Sequence, residues 1–380
     1  MVYFPLKDRL SKVDIAAAAL TPDNVLTQPV NKDLDEQTKS IGMAIKQARE
    51  KGSNIICAFG AHAIKNGLGP LLGEMLRKGW ITHLASNGAA VIHDWEFSWL
   101  GKSSEDVREN VAAGRFGTWE ETGFFINLAL AAGSWKGLGY AASVGAMIAD
   151  EGIMIPEKAE LLEAVTPVFY SGKGLGEKAA AAIAAPAVLS KAAAALEFLE
   201  LIKSLRLDPG FLSVPHPFKQ YSLLAAARES DMPFTCHPMF GHDIIYTHKA
   251  NRGSAVGRTA ERDFLEFAGS VEGLEGGVYL SVGSAVMSPM IFEKALSMAR
   301  NAFIGKNAAL KTPLLDCSIY VVDLQESNWD WQSGEPPMDN PAYYLRYMKT
   351  FNRMGCRTDY ITADNREFFI SLYRALEGST

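Results

Sequence analysis

Short apolar runs that stop on small or acidic residues and pass into helical periodicity recur along this chain. That recurrence restricts its fold more than any other feature. Asn54-Ile-Ile-Cys-Ala-Phe breaks at Gly60-Ala61-His62, after which Leu68, Leu71, Leu72, Met75 and Leu76 mark one helical face. Pro70 suits the first turn of that helix and Gly79 its C-terminal stop. Ile81-Thr-His-Leu-Ala-Ser breaks at Asn87-Gly88, and a second helix is expected from about Ala89. In the last third, Pro233-Phe-Thr-Cys ends at His237, Val278-Tyr-Leu-Ser-Val at Gly283-Ser284, and Ser318-Ile-Tyr-Val-Val at Asp323. Asp359-Tyr-Ile-Thr-Ala ends at Asp364-Asn365, with Asp364 placed to cap the amphipathic helix of Phe368, Phe369, Leu372 and Leu376. Apolar runs of this kind are buried on both faces, so an α/β fold with a mostly parallel sheet is expected.

The 380 residues allow two domains or one large α/β unit. We read a single domain over 1–380, with an N-terminal extension 1–50 and a mainly helical insertion at about 108–207. Within that insertion Val168-Phe-Tyr looks like a strand, and the alanine-rich stretch from Lys178 to Leu199 looks helical. Hydrophobic residues at 48% exclude wholesale disorder. The charge is 37 basic against 43 acidic, net −6, with no basic stripe, so no nucleic-acid partner is expected. Lys249, Arg252, Arg258 and Arg262 alternate with Glu261, Asp263 and Glu266, as on a solvated helix face. There is no secretory start and no uncharged apolar run of the ~18 residues a membrane span needs. Cys57, Cys236, Cys317 and Cys356 are far apart in sequence and read as buried reduced thiols of a cytoplasmic protein.

In open α/β sheets, ligands bind where the carboxyl ends of the strands gather. Those ends carry Gly60-Ala61-His62, Ser86-Asn87-Gly88, His237 to Asp243, Gly283-Ser284, Asp323 and Asp364-Asn365. Small residues admit a close ligand backbone, and acidic ones suit ribose hydroxyls or an amine; equally, the glycines can simply turn the chain. GxGxxG, GxxxxGK[ST] and GxSxG are all absent, and Gly137 to Gly145 reads as a helix-packing segment. His93-Asp94 and His242-Asp243 are the sharpest local pairs. With His83 and His237 they could ligate a metal, which would make a metal-dependent hydrolase, although their spacing fits no metal motif. They suit acid–base or amine-binding work better. Trp329 and Trp331 either line a pocket or pack.

Gly60-Ala-His-Ala-Ile-Lys-Asn-Gly-Leu-Gly-Pro-Leu-Leu, followed by Lys78-Gly-Trp-Ile-Thr-His-Leu-Ala-Ser-Asn-Gly-Ala-Ala-Val-Ile-His-Asp, resembles deoxyhypusine synthase, chiefly its archaeal and bacterial branch. Gly241-His-Asp243, Gly276-Gly to Ser284, Tyr320-Val-Val-Asp-Leu-Gln325 and Tyr360-Ile-Thr-Ala-Asp-Asn echo it in the same order. The resemblance implies a Rossmann-like NAD-binding fold, a homotetramer, and transfer of an aminobutyl group from a polyamine. It implies NAD contacts at Ala61, His62, Ala63, Ser86, Asn87, Gly88, Gly283, Ser284, Asp323, Asp364 and Asn365. It also implies an amine pocket and catalytic groups at His93, Asp94 and Asp243. The family's Ser-Trp-Gly-Lys element is missing, and the corresponding stretch offers Tyr343, Tyr344 and Arg346, whose guanidinium cannot form an imine. The reading is therefore a divergent paralogue that binds NAD and acts on a small amine-type metabolite, or else a non-catalytic nucleotide-binding protein.

Overall fold

The computed structural model describes residues 1–380 except 30, 170–185, 307–315 and 379–380. Six strands form the central sheet: β1 (Ile55–Phe59), β2 (His83–Ser86), β3 (Phe234–Cys236), β4 (Val278–Val282), β5 (Ser318–Asp323) and β6 (Arg357–Thr362). Their order is β6-β5-β4-β1-β2-β3 and every neighbouring pair is parallel. Three strands thus lead away from β1 on one side and two on the other, the doubly wound order of a Rossmann-like fold.

The continuous apolar run of β1 follows from its place at the centre. Ile55, Cys57 and Phe59 enter one buried cluster, while Ile56 and Ala58 enter the other. The first face carries the helices Lys32–Lys51 and Asn365–Glu377, packed on each other, and the second carries Gly253–Glu272 and Met287–Lys306. Helix boundaries follow the sequence signals closely. Gly69–Arg77 has Pro70 in its first turn, and Asn87 caps Gly88–Leu100 by accepting from the Ala90 amide at 3.1 Å. The Asp364 carboxylate caps Asn365–Glu377 through the Arg366 amide at 2.8 Å.

Val168-Phe-Tyr is a correction. Val168 and Phe169 close the helix Lys158–Phe169, which lies against the helix Pro186–Leu205, so tertiary packing overrides their strand preference. Tyr170 and the first part of the alanine-rich stretch fall outside the described residues. The expected solvated face is also only partly so. Arg252 and Arg258 pair with Glu200 and Glu197, and Arg262 bonds the carbonyls of Ser134 and Leu138 at a helix end. Asp263 is fully buried on the opposite side. Two antiparallel ribbons, Val13–Asp14 with Lys102–Ser103 and Gly152–Ile155 with Gly210–Ser213, carry too few residues to show a period.

The N-terminal segment is held by charge. Arg9 and Glu96, both buried, form a bidentate pair at 2.8 and 2.7 Å, and Glu96 also accepts from Ser103 and Thr122. Burial alone would raise the Glu96 pKa, but Arg9 and these donors outweigh it and hold the carboxyl below its ordinary range. Farther on, Arg366 donates to the carbonyls of Ala18 and Asn66, and Arg374 to those of Leu26 and Gln28. Arg9→Met leaves the Glu96 carboxylate buried without its counter-ion and is expected to cost about 3–5 kcal/mol. Urea unfolding reads this as a lower midpoint at unchanged slope, and a midpoint equal to wild type would show the pair to be dispensable.

Candidate functional site at the carboxyl edge of the sheet

The strand order reverses between β1 and β4, and the two chains leave the sheet there almost in contact. The Gly60 amide donates to the Val282 carbonyl at 3.0 Å, and a Cβ added at Gly60 would lie 2.1 Å from the Gly283 carbonyl oxygen. Gly283 itself has φ +59°, a left-handed conformation open to glycine at little cost, and its amide reaches Val322 on β5. The ends of β1 and β2 are joined by Ser86, whose buried hydroxyl donates to the Phe59 carbonyl at 2.7 Å. Ala61 and Ala63 lie on the turn and helix after β1, with His62 exposed to solvent between them. The Ser284 hydroxyl accepts the Ser288 amide and so opens the helix after β4. Asp323 ends β5, with one carboxylate oxygen accepting from the Gln325 amide. Topology thus brings the residues after β1, β2, β4 and β5 to one rim.

Asp364 and Asn365 follow β6, at the far edge of the sheet. Asn365 is engaged by Asn66 at 3.0 Å, and Asp364 by its capping bond.

The three residues read as catalytic separate. His93 sits in the helix Gly88–Leu100, nearly buried, with Nδ1 2.7 Å from the Ser103 hydroxyl. Ser103 gives its one proton to Glu96, so His93 must donate through Nδ1, leaving Nε2 as the free base. Burial chiefly, with Arg9, Lys65 and His62 adding and Glu96 opposing, brings the His93 pKa down to about 4. Asp94, one residue on, faces the interior instead. Its carboxylate accepts from the Ser222 hydroxyl and the amides of Leu223 and Leu224, capping another helix. Asp243 packs on the N-terminus of the helix carrying His93, where a Cβ on Gly88 would come 2.3 Å from its Oδ2. It accepts from the Tyr246 hydroxyl at 3.0 Å, and burial raises its pKa to about 6.

Two contributors escaped the sequence reading. Lys65 lies three residues after His62 on the short helix His62–Lys65, which packs against the helix bearing His93, and its charge depresses the His93 pKa. Tyr246 follows Asp243 by three residues; that i,i+3 spacing was the available signal. The two His-Asp pairs do not assemble, and among the described residues no group of three potential metal ligands exists. His83 and His237 do meet, through the Thr235 hydroxyl at 2.9 and 3.0 Å, but as buried neutral rings pulled down to about 3 by burial. Trp329 and Trp331 line a cavity of about 340 Å³ with Gln37, Tyr320, Asp359 and Tyr360, along β6 rather than at the rim.

No family model matches the chain, and no curated protein does. Solved structures similar to it include the apo arginine dihydrolase ArgZ of the cyanobacterial ornithine–ammonia cycle, at 12% identity and TM-score 0.42, covering 93% of this chain and 33% of that one. AgrE in a ternary complex with ornithine and NAD+ matches at 12% and 0.42, covering 93% and 34%. A conserved LOR/SDH protein, described as putative, from Methanococcus maripaludis S2 matches at 12% and 0.42, covering 93% and 71%. The chain spans about a third of the length of ArgZ and AgrE. These neighbours correct the deoxyhypusine synthase resemblance. With it go the deoxyhypusine-synthase-like function, the transferase chemistry and the tetramer drawn from that family. Among the described residues no helix is long and apolar enough to cross a membrane.

Asp263 supplies a test of the packing behind this rim. Its buried carboxyl accepts the amides of Ala141 and Cys236, yet burial raises its pKa to about 8. The folded state therefore keeps the proton that the unfolded chain loses near pH 4. Wild type should lose stability relative to Asp263→Asn as pH rises from 4 to 8, by up to ~1.4 kcal/mol per unit, then level off. Urea midpoints for both proteins across that range decide it; a constant difference would mean that Asp263 is ionised throughout.

Proposed function

We propose that this chain binds NAD across the crevice between β1 and β4, with a small-molecule substrate beside the nicotinamide. The observation that carries the reading is the reversal of strand order at two close turns, where Gly60 has no room for a Cβ beside the Gly283 carbonyl and Gly283 takes a left-handed φ of +59°. A turn without side chains lets a pyrophosphate approach backbone amides, which is where dinucleotides bind in doubly wound sheets. Lys65 adds positive charge there, exposed His62 adds a hydrogen-bonding imidazole, and the Asp323 carboxylate is suited to a ribose hydroxyl. His93, neutral at pH 7 with Nε2 unprotonated, is assigned as the proton acceptor. Asp243, backed by Tyr246, is assigned to a cationic group of the substrate. When bound, NAD supplies a hydride acceptor.

Calorimetric titration with NAD should give a Kd in the micromolar range. Gly60→Val should abolish binding, and Lys65→Ala should weaken it about 10-fold, the loss of one charge-assisted contact. No heat at millimolar NAD from a folded wild-type protein would overturn the reading. Ornithine and arginine, named with AgrE, head the panel of candidate substrates, scored by NADH absorbance. For a substrate so found, His93→Ala should remove turnover while sparing NAD binding, and unchanged turnover would remove His93 from the mechanism.

A further inference from the structure

Cys317 and Cys356 are 39 residues apart in the chain but side by side in the fold. Ser318 is registered against Arg357 in the parallel pair of β5 and β6, which sets the two preceding cysteines next to each other where the strands begin. Their sulfurs lie 2.8 Å apart, both side chains turned into the same apolar cluster. Adjacent strands hold their Cα atoms within the span that a disulfide bridges, so joining the sulfurs requires no backbone movement. Arg300 lies against this pair. Its Nη2 donates to the Met354 carbonyl at 2.8 Å, while its Nε is buried and has no hydrogen-bond partner among the described residues. A guanidinium there favours a thiolate over a thiol. The charges of Arg300 and Asp316 act on the two sulfurs, and Cys356, also buried, is the slightly more exposed residue, at 9% against 2% for Cys317.

We propose that Cys317 and Cys356 form an oxidative modification site that closes to an intramolecular disulfide on two-electron oxidation by a peroxide. The Cys356 thiolate attacks one peroxide oxygen. The O–O bond breaks, the leaving hydroxide takes a proton to become water, and Cys356 becomes a sulfenic acid. The Cys317 sulfur then attacks Cys356 Sγ, the S–S bond forms, the S–O bond breaks, and a second water leaves with the Cys317 proton. Two thiols lose two electrons and two protons, and one peroxide becomes two waters. The product ties edge strand β6 to β5 and closes the connection from Cys317 to Cys356 that carries Trp329 and Trp331. Tyr320, Ser327 and Trp329 to Gln332, which line one part of the cavity along β6, then belong to the covalently closed loop.

The test uses the full chain, reduced and then exposed to hydrogen peroxide. The expected product is a monomer lighter by ~2 Da, the mass of the two hydrogens lost. Peptide mapping should find 317 linked to 356, with Cys57 and Cys236 still open to alkylation after unfolding. Its melting temperature should rise by ~3 °C or more and return on reduction. Cys317→Ser should abolish the cross-link and leave Cys356 as the site of oxygen addition; if that variant does not fold, the wild-type map decides alone. Four alkylatable thiols after exposure, or a cross-link through Cys57, Cys236 or a second molecule, would overturn the proposal.

Discussion

The contact on which the rim depends is between two turns, where the strand after the switch passes the strand before it. With β1 hydrogen-bonded to β4 along its whole length, Gly60 meets the Gly283 carbonyl, and any side chain there would force the central strands apart. Everything else at the rim is arranged around that contact. The Ser86 hydroxyl ties β2 to the end of β1, and the Gly283 amide ties β4 to β5, so a displacement at Gly60 reaches four strands through hydrogen bonds. A site built on such a frame has little freedom to drift, which is what positioning a ligand within a fraction of an ångström requires.

The helix Gly88–Leu100 shows how adjacent residues divide their work. His93 leans on Ser103 and through it on the Arg9–Glu96 pair, which fixes its tautomer. Asp94 points inward and closes the end of another helix. Asp243 comes from a separate loop to sit on the same helix's first residue, admitted there by the absence of a Cβ at Gly88. One helix thereby orients a neutral base, anchors a neighbouring element and seats a carboxylate at its positive end.

Much of the framework was legible because its signals are local. The strands of the sheet, the break at Asn87-Gly88, the cap at Asp364 and the position of Pro70 all follow from short stretches of sequence. What was not legible depends on tertiary proximity. Nothing in the spacing of Cys317 and Cys356 announces that parallel register makes them neighbours. Nothing local separates His93, which keeps one ring nitrogen free, from His83, which spends both on Ser270 and Thr235. The Val168 strand failed for the same reason, since a helix partner decided a segment of mixed preference. The deoxyhypusine synthase resemblance rested on small residues at strand ends, which any doubly wound sheet needs at its switch point.

Arg366 and Arg374 have a consequence for the order in which the molecule can be assembled. Their guanidinium groups grip the carbonyls of Ala18, Leu26 and Gln28 from the helix Asn365–Glu377, spanning nearly 350 positions of sequence. The segment holding Ala18, Leu26 and Gln28 thus receives its fastening from residues made hundreds of codons later. During synthesis the side of the helix Lys32–Lys51 that packs on the helix Asn365–Glu377 stays uncovered until that later helix is made. For this chain, the N-terminal strap can lock onto the β6 side of the sheet only after both have been made.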